Sequence, residues 1–413
     1  MIKKMPRKIL FISKDNLTTN PRLLKELKLA INLGYEVDFI GFLSGNWSDE
    51  IDKGLIKNLK ANFYYIPATK KPFLPWFMSS IIEKFARKIY PVTKNNLKFN
   101  AFAHSKRSVL IPKYTKLINE KYNLIIAHTL PALYPAFQLA KKQNIAFIFD
   151  IEDYHPGEKI SFDAKNEKAR REFLMRKILP KAAFVSYASP LIGKSSINLL
   201  KKQNAPPNLL INNCFSETEF QLKENNSDKL KFVWFSQNIA AGRGLELILP
   251  ALEKFKDKIQ LTLIGNLYND FHTNSLIKYS DFIEILKPMP QKELNLKLAE
   301  FDVGLAIELV SADQNRDICL TNKIFAYAQS GLYILATDTL AQKQFIVEHQ
   351  QTGTTCGQST EAMQLQIEQL INNKNLIRKE KKQRFGYAKK LAWENESKKL
   401  VDIWNQLLTT KAT

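Results

Sequence analysis

A chain of 413 residues that is 45% hydrophobic and 24% charged has the material for two domains with real cores. Its formal net charge of +21 asks for a polyanionic partner: phosphorylated small molecules, anionic lipid or nucleic acid. Three cysteines, Cys214, Cys319 and Cys356, with no C-x-x-C pair argue against a disulfide framework or a zinc ribbon and fit a reducing cytosol.

The basic start "MIKKMPRKILFIS" carries an apolar run of only about five residues, which reads as a strand and not as a signal peptide. No later run reaches the ~18 apolar residues of a membrane span. Short β-branched runs then recur in order: "KILFIS" (8–13), "EVDFIGF" (36–42), "NFYYIP" (62–67), "NLIIAH" (123–128), "IAFIFD" (145–150) and "AFVSYAS" (183–189). A second series holds "KFVWFS" (231–236), "QLTLIG" (260–265), "FIEIL" (282–286), "DVGLAIEL" (302–309) and "LYILATD" (332–338). Most are continuously apolar, the pattern of parallel strands covered by helices on both faces. The helical patterns between them predict an α/β fold of two doubly wound parallel-sheet (Rossmann-like) domains. The Asn-, Pro- and charge-rich stretch 205–230 reads as the linker, giving an N-terminal domain over 1–205 and a C-terminal domain from 206. Two such domains facing across a cleft would offer it their strand C-termini, where α/β sheets bind ligands.

Residues 70–114 stand apart, mixing aromatics with Lys and Arg and holding few acids. Apolar residues at 77, 78, 81, 82, 85 and 89 predict a helix over Trp76–Ile89 with lysine and arginine interleaved. That pattern suits a helix lying on an anionic membrane surface, and equally an insertion packed on its own domain.

Several residues can carry chemistry. In the second half, "VWFSQNIAAGRGLELILPAL" (233–252) runs strand, loop, Gly242-Arg243-Gly244, helix. Glycines let backbone approach a ligand, a helix start offers free N–H groups to phosphate, and an arginine fork suits a diphosphate. The polar loop before "TNKIFAYAQSG" leads to a helix over 322–330 that Thr321 or Asn322 can cap and Gly331 can end, with Lys323 in its first turn. Two cationic helix starts at strand C-termini of one sheet point to a diphosphate site. In the first half, His128 ends one strand, and Asp150, Glu152, Asp153 and His155 follow the next. Any of these can act as a base toward a hydroxyl; His128 reads equally as a core histidine. The acids match no fixed metal-ligand spacing, and no metal is expected. Asn20 and Pro21 open the first helix. The chain lacks G-x-G-x-x-G, a Walker loop and G-x-S-x-G, and its scattered lysines form no nucleic-acid motif, so no nucleic-acid partner is expected.

Taken together these segments resemble the GT-B glycosyltransferases, in particular the large retaining, family-four-like group (glycosyl transferases group 1) that includes sucrose synthase and many cell-envelope sugar transferases. "PRLLKELKLAINLGYEVDFIGF", "YNLIIAHTLPALYPAFQLAKKQNIAFIFDIEDYHPGE", "GRGLELILPAL", "LTLIG" and "NKIFAYAQSGLYILATD" carry the likeness. The tail "LAWENESKKLVDIWNQLL" is similar to a final helix that in this fold packs back on the first domain, so the domains become 1–205, 206–390 and a helix over 391–413.

The resemblance implies a hexosyltransferase that moves a sugar, with retention, from a nucleotide-diphosphate sugar to a hydroxyl of a cell-envelope polysaccharide or lipid-linked acceptor. The donor is the substrate and no separate cofactor is implied. His128, Glu152 and Asp153 fall in the catalytic positions. Gly242, Arg243, Gly244, Gly265, Glu308, Asp317, Thr321, Asn322 and Lys323 fall around the donor. Such an enzyme would be cytoplasmic, or peripheral on the inner face of the cytoplasmic membrane. The chain departs from the pattern where relatives hold a pair of glutamates, here Ile318 and Ala326, and where they hold an arginine after the first donor-domain strand, here Ser236-Gln237-Asn238. A catalytically divergent binding or partner protein on the same fold is therefore the alternative.

Overall fold

Every apolar run named above forms a strand in the computed structural model, which describes residues 7–200 and 205–409. The chain before Arg7, and with it most of the basic start, lies outside the described residues. Contacts divide the chain into two units. One runs to Ile211 and takes in the helix from Ser397; the other is Asn212–Glu396.

The first unit is a seven-stranded, all-parallel sheet in the order β3-β2-β1-β4-β5-β6-β7. The strands are β1 (Lys8–Ile12), β2 (Glu36–Leu43), β3 (Asn62–Pro67), β4 (Leu124–His128), β5 (Ala146–Ile151), β6 (Phe184–Tyr187) and β7 (Asn208–Leu210). The β1 and β4 runs are buried almost from end to end, as strands covered on both faces must be. The helix Pro21–Asn32 starts where Asn20 accepts the Leu23 N–H, with Pro21 in the first turn. Its buried face alternates apolar and charged: Leu23, Leu27 and Ala30 beside Arg22 and Glu26. The helix Trp393–Thr409 lays Trp404, fully buried, edge-on to Phe11 of β1 with ring centroids 6.4 Å apart.

The second unit is a six-stranded parallel sheet ordered β10-β9-β8-β11-β12-β13. Its strands are β8 (Leu230–Ile239), β9 (Ile259–Leu267), β10 (Ile283–Leu286), β11 (Val303–Ala306), β12 (Tyr333–Thr337) and β13 (Gly353–Cys356). Leu230, Phe232, Trp234, Leu261, Leu263, Val303 and Leu305 form the centre of its core. Ser236-Gln237-Asn238 is not a loop, as the sequence suggested: it is the outer end of β8, which stays paired with β9 through a register shift between Phe235 and Asn238. All three cysteines are buried and none is in a disulfide, and burial pushes the Cys356 thiol up to about 12.

The aromatic–basic segment folds into helices over Phe73–Lys88, Tyr90–Thr93, Leu97–His104 and Lys106–Ile118. The first of them begins at Phe73, three positions before the Trp76 expected from the sequence. A hydrogen bond ties this group to the helix Ala164–Ile178: His104 Nδ1 lies 2.5 Å from Glu167, which also accepts from Arg170 and Arg171 of its own helix at 3.0 Å each. Although burial alone would raise it, the Glu167 carboxyl is held down to about 2 by His104 and the two arginines.

Trp404→Ala should cost the first unit about 3–5 kcal/mol, the usual loss for a buried tryptophan, read as a lowered midpoint in denaturant unfolding.

Candidate functional site

Both sheets reverse direction at one place. Strands are added one way from β1 to β3 and the other way from β4 on; β8 and β11 are the matching pair in the second unit. Because parallel crossovers are right-handed, helices leaving the two strands at a reversal go to opposite faces, and the loops between them part to leave a crevice at the strand C-termini. The sequence-predicted residues gather around these two places.

In the first unit, His128 ends β4 and Thr129 follows at φ 68°, a conformation that a β-branched residue adopts only under constraint. The Thr129 hydroxyl accepts from the Lys14 N–H at 3.2 Å, which joins the loops after β4 and β1. His128 is fully buried. Its Nδ1 lies 2.7 Å from Glu152 and 3.3 Å from Asp150, and its Nε2 lies 3.5 Å from Glu26. Arg22 grips Asp150 through Nε and Nη2 and donates Nη1 to the Ile211 carbonyl; the Ser186 hydroxyl adds a bond to Asp150 at 2.8 Å. Burial would drive the imidazole neutral, but the Glu26 charge and the bonds to Asp150 and Glu152 raise its pKa well above the ordinary 6.5. Burial likewise opposes ionised Asp150, and Arg22 with His128 overturns it. Glu26, His128 and Asp150 also sit close enough together to hold a cation. The grip of Arg22 on Asp150 and the raised imidazole pKa are instead the marks of an ion-pair network. Glu152 and Asp153 are half-buried at its edge, and Asn20 donates to Glu152 at 2.6 Å.

In the second unit, the turn after β8 brings Gly242 (φ 75°) and Gly244 (φ 85°) into the left-handed region, ahead of the helix Leu245–Glu253. A Cβ on Gly244 would stand 2.5 Å from Ile307 Cγ2, so only glycine lets this turn close on the end of β11. Gly265, at the outer end of β9, is similarly pressed on the Ser236 carbonyl, 2.4 Å from where a Cβ would be. Arg243 is exposed and makes no ion pair among the described residues. Lys323 differs: its ammonium bonds Glu308 at 2.7 Å and lies 5.4 Å above the ring of buried Trp234. Arg316 meets the other Glu308 oxygen at 3.2 Å. Burial would raise the Glu308 carboxyl, and Lys323 with Arg316 holds it below the ordinary value. The Glu308 backbone is fixed in turn by the Thr337 hydroxyl, which accepts its N–H and donates to its carbonyl.

The helix Asn322–Gln329 begins without a side-chain cap from Thr321, against expectation, while the Asn322 amide oxygen accepts from Asn213. Asp317 accepts the Leu340 N–H, which opens the helix Leu340–Glu348. Ala326, where the resemblance expects an acid, is fully buried. His155 is buried 3.2 Å from Glu158, apart from the His128 group. Sequence reasoning missed Arg22, Glu26, Arg316 and Trp234. A signal for the first two was available: an Arg and a Glu four apart on the apolar face of one helix.

His128→Gln should cost about 3–5 kcal/mol at pH 6, because it leaves three carboxylates facing one guanidinium. The pH sign follows from the raised imidazole pKa. The native ion pairs stabilise fully below the unfolded value of about 6.5 and are lost as pH rises through the higher folded value. Denaturant unfolding should therefore show this part of the stability falling at alkaline pH in the parent and absent in the variant.

No family model and no curated protein matches the sequence. Solved structures match it nearly end to end. Sucrose-phosphate synthase from Thermosynechococcus elongatus is 12% identical with a TM-score of 0.66, over 98% of this chain and 100% of that one. HepE from Anabaena, solved with UDP and glucose, is 12% identical with a TM-score of 0.65, over 97% and 100%. TarM is 12% identical with a TM-score of 0.65, over 98% and 100%. These likenesses establish the fold: a pair of doubly wound parallel sheets of the GT-B class.

Proposed function

We propose that the chain is a glycosyltransferase that takes a sugar from a nucleotide-diphosphate donor and places it on a hydroxyl of a cell-envelope polysaccharide or lipid-linked acceptor. The observation that carries the reading is the Gly242-Arg243-Gly244 turn. It sets an exposed guanidinium, without an ion pair among the described residues, beside a helix N-terminus at the strand-order reversal of the second sheet. A diphosphate there would meet free N–H groups, the helix dipole and a bidentate cation together. The fold supports the same reading, since solved structures of it hold UDP with glucose in one case and UDP-glucose in another.

In this account the second unit binds the donor and the first presents the acceptor. The bond from the anomeric carbon to the diphosphate breaks and its electron pair leaves with the phosphate, where Arg243 and the helix N–H groups offset the charge. The acceptor oxygen bonds the same carbon with retained configuration, and its proton passes to a carboxylate. Glu152 and Asp153, half-buried, are the carboxylates with an open side; buried His128 orients Glu152. Lys323 holds Glu308 in place beside the donor, and no metal takes part.

A second reading, a donor-binding partner protein without turnover, is favoured by buried Ala326 and by the neutralisation of Lys323 on Glu308. Release of free nucleotide diphosphate with any donor excludes it.

Calorimetric titration with a panel of nucleotide sugars that includes UDP-glucose should detect binding. Arg243→Ala should weaken it by about 1.5–3 kcal/mol, roughly 10- to 150-fold, without changing thermal stability, since the side chain is exposed. Binding that is indifferent to Arg243 would place the donor elsewhere.

A further inference from the structure

The helix Phe73–Lys88 is packed inside out. Amphipathic helices of globular proteins bury their large apolar side chains. Here Ser79 and Ala86 are each 1% exposed, while Leu74 is 67%, Phe77 41%, Met78 50%, Ile81 44% and Phe85 56% exposed. At 3.6 residues per turn, 73, 74, 77, 78, 81 and 85 span a continuous face of about 140°, opposite the buried small residues. That small-residue face packs on the helices Leu97–His104 and Lys106–Ile118, so the apolar face is turned away from its own domain. Phe162 is exposed too, with the Arg87 guanidinium of this helix 5.7 Å from its ring.

Charge identifies the occupant. Residues 70–98 hold seven basic residues (Lys70, Lys71, Lys84, Arg87, Lys88, Lys94 and Lys98) and a single acid, Glu83. Glu83 is already paired with Arg87 at 3.0 Å. Lys84 and Lys88 fall on the same sector as the phenylalanines and are exposed. Trp76 is flanked by the ammonium groups of Lys70 at 5.7 Å and Lys106 at 5.3 Å. Exposed aromatic and aliphatic side chains with cations among them match an anionic bilayer surface. Among the described residues no helix is long and apolar enough to cross a membrane. A second copy of the chain would instead bring two strongly cationic faces together.

We propose that this helix docks the protein on an anionic lipid bilayer, with Leu74, Phe77, Met78, Ile81 and Phe85 seated below the headgroups and Lys84 and Lys88 extending their ammonium groups up to the lipid phosphates. This is independent of the donor reading, because it needs neither Arg243 nor turnover.

The test is co-sedimentation of the full chain with phosphatidylcholine vesicles with and without phosphatidylglycerol, at low and high salt. Binding should need the anionic lipid and weaken as salt rises. Lys84→Gln with Lys88→Gln should lower the partition coefficient by about 25-fold, at roughly fivefold per lysine. Phe77→Ser with Phe85→Ser should lower it by more than about tenfold even at low salt, with an unchanged unfolding midpoint. Failure of the parent protein to sediment with anionic vesicles would overturn the proposal. So would equal binding to neutral vesicles, or sedimentation velocity showing a dimer that the phenylalanine variant dissolves.

Discussion

The reversal of strand order is the constraint on which everything else depends. A right-handed crossover rule applied to a sheet that grows in both directions leaves one pair of neighbouring strands whose following helices lie on opposite faces. At that pair, backbone N–H groups and loop side chains stay uncovered, and the chain must end strands there without plugging the gap. It does so with different chemistry in the two sheets. Gly244 closes on Ile307 in the second, and Thr129 is held at φ 68° beside Lys14 in the first.

The two places also differ in what charge does. In the first unit, five ionisable groups (Arg22, Glu26, His128, Asp150 and Glu152) are drawn into one network, most of it without access to solvent. Desolvation of such groups costs several kcal/mol per ion, so their mutual bonds set position more than they add net stability. In the second unit, Lys323 and Arg316 are already engaged by Glu308, and Arg243 alone among the candidate cations stands exposed without a counter-ion among the described residues. A ligand phosphate would cost Arg243 no existing partner, whereas it would have to share Lys323 with Glu308.

Much of the fold was legible because buried parallel strands leave a one-dimensional signal. "KILFIS" and "NLIIAH" need no context to be recognised. What escaped lacked that signal. β7 is three residues inside a Pro- and Asn-rich stretch, and β13 reads "GTTC", with no apolar run at all. The polar end of β8 looked like a loop because ladder bonds to β9, not apolar burial, keep it extended. The Gly-Arg-Gly turn was legible since glycine spacing reports backbone conformation directly. The pairing of Lys323 with Glu308, fifteen positions apart, and of Arg22 with Asp150, 128 apart, depends on where strands meet and is invisible in composition. The phenylalanine helix was periodic in sequence; which face would point outward was set by the small residues Ser79 and Ala86, which let neighbouring helices approach closely.

The central claim is that a nucleotide diphosphate binds at the reversal of the second sheet. Hydrogen–deuterium exchange with and without saturating UDP-glucose tests it most directly, because the proposed contact is with backbone N–H groups. The account predicts slower exchange confined to 242–248 and 321–325. Protection at neither segment, with nucleotide bound elsewhere, would contradict it.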